Sequence, residues 1–164
     1  MAKDSVAKKS EPVVDDYGVE EVNAGMQVVA FKLRDEEYGV NIFQVQEIHN
    51  LVDITRVPFA ASFIKGVINQ RGSVMPVIDL KKRLGIEETP YTAATRIVTV
   101  IVGDLQVGML VDAVTEVLTI RSKLVDPKKT VSDKAMEKFL SGIGNIGNGR
   151  LVTMLNLEEI VGIS

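Results

Sequence analysis

VVAFKLRDEEYGVNIFQVQEI, at residues 28–48, recurs without a gap as IVTVIVGDLQVGMLVDAVTEV at residues 97–117, an offset of 69 positions. The alignment matches Gly39 with Gly108. Both copies are rich in Val and Ile and carry turn-forming or charged residues near the middle, which is typical of a β-hairpin. The sequence therefore predicts that one hairpin unit is built twice.

A second pair of similar segments follows the first pair. FIKGVINQRGSVMPVIDL, at residues 63–80, parallels FLSGIGNIGNGRLVTMLNL, at residues 139–157, with one extra residue in the later turn. Only two copies exist, which favours two pseudo-symmetric lobes over a solenoid of three or more stacked units. We predict an all-β fold of two lobes with about five short strands each, closed like barrels because closure removes exposed strand edges.

Composition limits the classes of function. The chain of 164 residues has a net charge of −3, 46% apolar residues and no cysteine. Thiolate metal sites and disulfides are excluded, and the charge gives no electrostatic reason to bind nucleic acid or an anionic membrane. No apolar run approaches the roughly 20 residues that span a bilayer, so a cytoplasmic protein is expected.

The chain divides into a leader and one domain. Residues 1–25 are mostly small or charged and predict a flexible leader. We expect a single domain over residues 26–164, with the first barrel at about 26–86 and the second at about 95–164. Exchange of a strand or helix between the barrels stays open at this point.

Short helical elements are expected between strands. Ile42, Val45 and Ile48 are spaced by three, which predicts a helical turn, although an apolar triplet of this kind also suits the core or an interface. Asp79 and Asn156 each precede a short helical segment and are suited to cap it.

Two features are of kinds found in enzymes, and each has a non-catalytic interpretation that the sequence favours. Residues 142–147, GIGNIG, match the dinucleotide fingerprint G-x-G-x-x-G, but the following Asn148-Gly149 predicts a hairpin turn rather than a helix start. A nucleotide-binding enzyme remains the competing class, and titration with dinucleotides would test it. His49 is the one histidine, so no multi-histidine metal site is possible, and a surface or interface role is expected.

Arg71 lies in a turn between two apolar segments. Its planar guanidinium offers several donors to a carboxylate or a partner's backbone, while the alternative is an exposed turn arginine of little consequence. Glu47 stands among apolar residues and is a hypothetical ion-pair partner for Arg71.

These stretches carry a family resemblance. The chain resembles the CheW family of bacterial chemotaxis coupling proteins in EEYGVNIFQVQEI, ITRVP, FIKGVINQRGSVMPVIDL, VGMLVDAVTEVL and GIGNIGNGRLVTMLNLEEI, which together extend over roughly residues 27–164. The family's N-x-R-G turn is residues 69–72, with Gln70 where leucine is common.

The resemblance implies two five-stranded SH3-like β-barrels around a shared hydrophobic core, with no catalytic, cofactor-binding or metal-binding residues. It implies an adaptor that links the cytoplasmic tips of transmembrane chemoreceptors to the regulatory domain of the histidine kinase CheA. The expected kinase-binding residues are Val29, Ile42 and Val45. The expected receptor-binding residues are Arg71, Glu47 and Ile48.

The same resemblance implies a cytoplasmic protein recruited to membrane-associated receptor arrays, without nucleic-acid binding or direct membrane insertion. We expect a monomer when the protein is isolated and dilute. A CheW-like scaffold of a non-chemotactic kinase pathway is the alternative function.

Overall fold

The protein is seen here as a computed structural model that describes residues 25–129 and 133–162. The predicted leader lies outside the described residues except for Gly25. Ten strands are described: β1 Met26–Leu33, β2 Glu36–Asn41, β3 Val45–Asn50, β4 Ile64–Gln70, β5 Ser73–Asp79, β6 Arg96–Val102, β7 Leu105–Val111, β8 Ala113–Ile120, β9 Leu140–Gly147 and β10 Arg150–Leu155. The described helices are α1 Leu80–Leu84, α2 Lys134–Glu137 and α3 Leu157–Val161, with 3-10 turns at Ile42–Gln44 and Pro127–Lys129.

The strands form two five-stranded sheets, which confirms the predicted all-β fold with short helices. Sheet I has the order β8-β1-β2-β10-β9, and sheet II has the order β3-β6-β7-β5-β4. Each sheet therefore takes its strands from both halves of the chain. The boundaries at about residues 86 and 95 do not separate the sheets, because β3, β4 and β5 of the first half lie in sheet II and β8, β9 and β10 of the second half lie in sheet I.

Equivalent glycines sit at equivalent places in the two sheets. A Cβ atom on Gly39 would lie 2.5 Å from Val28 Cγ1, and one on Gly108 would lie 2.9 Å from Ile97 Cγ2. Val28 and Ile97 are themselves matched by the offset of 69. The repeated glycine is thus explained by close packing of neighbouring strands inside each curled sheet.

The buried apolar residues form three clusters, of which the largest joins the two sheets. The largest combines residues of both sheets, such as Phe31 and Leu33 of sheet I with Val98 and Met109 of sheet II. Two smaller clusters each lie within one sheet: Ile68, Met75, Val77, Ile97 and Leu110 in sheet II, and Val28, Ile120, Val152 and Met154 in sheet I. This arrangement agrees with two small barrels that share a central core.

The prediction of a helical turn through Ile48 was wrong in extent. Only Ile42–Gln44 is a 3-10 turn, and the chain continues directly into β3. A β-bulge between Val45 and Glu47 shifts the register against β6, which explains how apolar residues spaced by three occur partly in a strand.

Other local predictions are confirmed. Asp79 and Asn156 cap α1 and α3, each accepting a bond from the backbone N–H three residues later. Residues 142–147 lie within β9, and Asn148 and Gly149 form the turn with φ of 56° and 78°. The glycine-rich loop is therefore a hairpin, as its context predicted.

Candidate functional site: a polar cluster around Glu47 and Arg71

The hypothetical ion pair is present in the structure. Strand β3 positions Glu47, and the turn between β4 and β5 positions Arg71, whose Nη2 lies 2.5 Å from Glu47 Oε2. The turn residues Arg71 and Gly72 have φ of 52° and 80°, the conformation of a tight hairpin turn. The Arg71 side chain is 75% exposed and that of Glu47 is 29% exposed. A partly buried carboxylate thus anchors a guanidinium that faces solvent.

The second oxygen of this carboxylate also has neighbours. Gln70 donates from Nε2 to Glu47 Oε1, and His49 Nε2 lies 3.6 Å from the same oxygen. His49 Nε2 also lies 3.0 Å from the hydroxyl of Thr99, which is fully buried on β6. Since side chains of a strand alternate between faces, Glu47 and His49 share one face of β3. We call Glu47, His49, Gln70 and Arg71 the polar cluster.

The polar cluster lies where sheet II closes on itself. Strands β3 and β4 occupy opposite edges of the sheet order. Glu47 nevertheless contacts Gln70 at the end of β4 and Arg71 in the turn that follows. A backbone bridge between Thr55 and Val67, at 2.9 and 2.8 Å, also joins the chain after β3 to β4. The site is therefore held by barrel closure rather than by one hairpin.

Ile48 does not join the polar cluster. It is 45% exposed and lies on the opposite face of β3, where its cross-strand neighbour Val98 belongs to the shared core. Of the three expected receptor-binding residues, the structure brings Glu47 and Arg71 together and places Ile48 on the other side of the strand.

The expected kinase-binding residues differ in exposure. Val29 is 2% exposed and belongs to the shared core, so its side chain has almost no surface to offer a partner. Ile42 and Val45 are half-buried against the same core. Phe43, which sequence reasoning missed, is 89% exposed in the 3-10 turn, where Asn41 Oδ1 accepts its backbone N–H at 2.9 Å. The signal for Phe43 was available, because three consecutive residues of one turn cannot all face the core.

The second half of the chain holds a counterpart of the Glu47–Arg71 pair. Glu116, matched to Glu47 by the repeat, lies 2.7 Å from Arg150 Nη1. Arg150 also donates to Glu37 at 2.7 and 2.8 Å, and the Thr115 hydroxyl donates to Glu37 at 2.8 Å. The hydrogen bond from Arg150 is the main influence that lowers the pKa of Glu37, against burial, which raises it. The repeat alignment could have pointed to Glu116, but it matches Arg150 with Ser73 and so gave no signal for the arginine.

These surfaces expose side chains of the kinds that occur at protein interfaces. Among residues 25–129 and 133–162, no group of three or more His, Cys, Asp or Glu side chains is placed to hold a metal ion. The described helices include none that is long and apolar enough to cross a membrane. An anchored, exposed arginine and an exposed aromatic ring are both common at the centres of protein interfaces.

The chain is similar to known proteins over most of its length. The family model described as a CheW-like domain matches residues 27–163. A probable chemotaxis protein CheW of Rhizobium etli is 36% identical over 145 residues, which is 88% of this chain and 93% of that protein. The chemotaxis protein CheW of Helicobacter pylori is 36% identical over 137 residues, 83% of this chain and 81% of that protein. The crystal structure of the scaffolding protein TtCheW from Thermoanaerobacter tengcongensis has a TM-score of 0.75 and 36% identity, and covers 83% of this chain and 92% of that one.

Proposed function

The chain belongs to the CheW-like domain family, and on this premise we propose that it is a non-catalytic chemotaxis adaptor. It couples chemoreceptors to the histidine kinase CheA and allows receptors to control autophosphorylation of the kinase. It works in the cytoplasm, is recruited to receptor arrays at the membrane, and is a monomer when isolated and dilute.

The observation that carries the receptor side of this proposal is the anchored arginine. Arg71 presents most of its guanidinium to solvent while Glu47 holds one nitrogen at 2.5 Å. Most N–H donors of Arg71 therefore remain for acceptors on a receptor. In the proposal Ile48 contributes from the opposite face of β3, where its exposed side chain offers an apolar contact.

The kinase side of the proposal rests on the apolar turn before β3. Ile42 and Val45 are partly exposed, and Phe43 projects between them. Val29 belongs to the shared core against which Ile42 and Val45 pack, so in the proposal it supports the surface rather than touching CheA directly. Exposed aromatic and aliphatic side chains next to each other are typical of a docking surface.

The proposed kinase surface lies on the turn before β3 and the first residue of that strand, whereas the proposed receptor surface combines later residues of β3 with Arg71 of the turn between β4 and β5. A protein that binds CheA through one surface and a receptor through the other raises the effective concentration of each partner for the other. No chemical step by the adaptor is needed for this effect. Coupling is then lost when either surface fails, even if the other still binds.

The test is phosphate incorporation into CheA in receptor-containing membranes, measured with no adaptor, with this protein and with Arg71→Ala. We expect activation by the natural chain and its loss in Arg71→Ala while binding to CheA is kept. Arg34→Ala is the matched control, because Arg34 also lies in a tight turn with φ of 58° and pairs with a carboxylate, Glu87, at 2.9 Å. Absence of activation by the folded natural chain with a matched kinase and receptor would refute the proposed function.

A further inference from the structure

Gln70, the last residue of β4, makes a second contact with the carboxylate of Glu47. Its Nε2 donates to Glu47 Oε1, while Arg71 Nη2 lies 2.5 Å from Glu47 Oε2. The carboxylate is thus held from two sides. We propose that Gln70 is a positioning residue that orients Glu47, and through it Arg71, for a carboxylate on the receptor. This inference rests on the proposed function and adds the chemistry of the partner group.

The carbonyl oxygen of the Gln70 side chain shows why replacing Gln70 by leucine is an informative test. Its Oε1 atom is buried and has no hydrogen-bond partner among the described residues. An unpaired buried amide oxygen destabilises the folded state, whereas leucine of similar size would bury only apolar atoms. Leucine would, however, leave Glu47 Oε1 without the Gln70 donor. Leucine at residue 70 therefore favours the stability of the fold, whereas glutamine favours the orientation of Glu47.

An oriented Glu47 carboxylate restricts the side chain of Arg71 before a partner binds. A long, exposed side chain normally samples many rotamers, and a partner that binds it must immobilise it. The contact with Glu47 fixes one nitrogen of the guanidinium before the partner arrives. The remaining donors keep their planar fork, which matches the two oxygens of a carboxylate.

The first test compares Gln70→Leu with the natural chain for binding to a soluble cytoplasmic receptor fragment and for thermal unfolding. We expect affinity to fall by about three- to tenfold, the usual effect of freeing one side chain at an interface, with a melting temperature that is unchanged or higher. Gln106→Leu is the matched control, because the Gln106 amide donates to Gln46 and not to the polar cluster. We expect Gln106→Leu to keep the affinity of the natural chain.

If Gln70 only stabilised the fold, Gln70→Leu would lower the melting temperature, and the affinity for the receptor fragment would fall with it. Unchanged affinity in Gln70→Leu, beside normal binding by the natural chain, would overturn the inference and leave the proposed function standing. Failure of the natural chain to bind receptor would instead refute the proposed function.

A second readout needs no receptor. The Nε–H signal of Arg71 in NMR spectra, identified by its absence in Arg71→Lys, reports the order of the guanidinium. We expect an ordered signal in the natural chain and in Gln106→Leu, and a disordered one in Gln70→Leu. Equal order in Gln70→Leu and the natural chain would overturn the positioning role.

Discussion

Arg83 Nε donates to the backbone carbonyl of Ile160 at 2.8 Å, although the two residues occupy equivalent positions in the two halves of the repeat. Arg83 also donates to the carbonyl of Glu159 at 3.1 Å, and its guanidinium carbon lies 3.9 and 4.9 Å from the ring centres of Phe63 and Phe139. These two phenylalanines are a repeat pair as well. The pseudo-symmetry is broken where the halves meet, and an arginine of the first half caps the last helix of the second.

Replacement of Arg83 is expected to destabilise the junction between the halves. Arg83→Met removes charge-assisted bonds to the carbonyls of α3 and the cation–π contacts, so the free energy of unfolding should fall by about 1–3 kcal/mol in denaturant titrations. Arg83→Lys should recover little of the loss, because an ammonium lacks the planar fork. The control Arg34→Met removes a solvent-exposed ion pair and should change stability by less than about 0.5 kcal/mol. Equal stability of Arg83→Met and the natural chain would contradict this role.

The ionic group on sheet I should make stability depend on pH. The pKa of Glu37 is lowered in the folded state, chiefly by its hydrogen bond from Arg150, and its side chain is only 12% exposed. A lowered folded-state pKa means that the contribution is fully present above the unfolded value of about 4.3 and is lost as pH falls through the folded value. At pH 7, Glu37→Gln should destabilise the fold by about 1–2 kcal/mol.

The pH series supplies the decisive comparison for Glu37. The difference between Glu37→Gln and the natural chain should shrink as the pH falls below about 4, because the natural carboxyl is then protonated too. Asp104→Asn, in an exposed turn of sheet II, is the control for loss of a surface carboxylate. A difference for Glu37→Gln that stays constant from pH 7 to pH 3 would contradict the assignment.

Gly66 should be required for closure of sheet II. A Cβ atom at this position would lie 2.2 Å from the carbonyl oxygen of Thr55, and backbone cannot yield as a flexible side chain can. Gly66→Ala should therefore break the Thr55–Val67 bridge, lower the free energy of unfolding by about 2–3 kcal/mol, and speed hydrogen exchange at the Val67 amide. Gly103→Ala is the control that separates a steric collision of the new Cβ atom from backbone strain. Gly103 has φ of 62°, but an added Cβ atom would meet nothing within 4 Å. If both variants lose the same stability, the collision is not the cause.

The repeat predicted much of this architecture, and the reason is physical. Matching hairpins fold alike because the same turn and strand patterns fix their local register, and the caps at Asp79 and Asn156 depend only on neighbouring residues. The contact between Glu47 and Arg71 could also be predicted from the sequence, because an acidic residue among apolar neighbours and an arginine in a turn were enough to suggest it.

The distribution of strands between the sheets could not be predicted from the repeat. The local pattern predicts that a segment forms a hairpin, but it does not predict which strand pairs with the edge of that hairpin. The parallel contacts between β2 and β10 and between β5 and β7 span only two and three residue pairs, so the apolar packing around them decides the choice. Val29 illustrates the same limit, because its exposure depends on which side chains of the other sheet cover it.

The proposed kinase surface depends most on Phe43, which was not among the residues expected from the family resemblance. Phe43 is 89% exposed, so Phe43→Asp should leave the free energy of unfolding nearly unchanged. A charge at the centre of an apolar docking surface should nevertheless weaken binding to the isolated CheA regulatory domain by at least about tenfold in calorimetric titrations. Receptor binding should persist, because Arg71 and Glu47 are untouched.

Phe59→Asp is the matched control for this last prediction. Phe59 is fully exposed in the loop between β3 and β4, with φ of 64°, and lies outside both proposed surfaces. The same chemical change there should leave CheA binding as it is, because a lone exposed ring on a loop buries nothing in the proposed complex. If Phe43→Asp binds CheA normally, or if Phe59→Asp weakens binding more, the kinase surface lies elsewhere. Loss in Phe43→Asp alone would instead make the turn before β3 the centre of the contact, with Ile42 and Val45 at its rim.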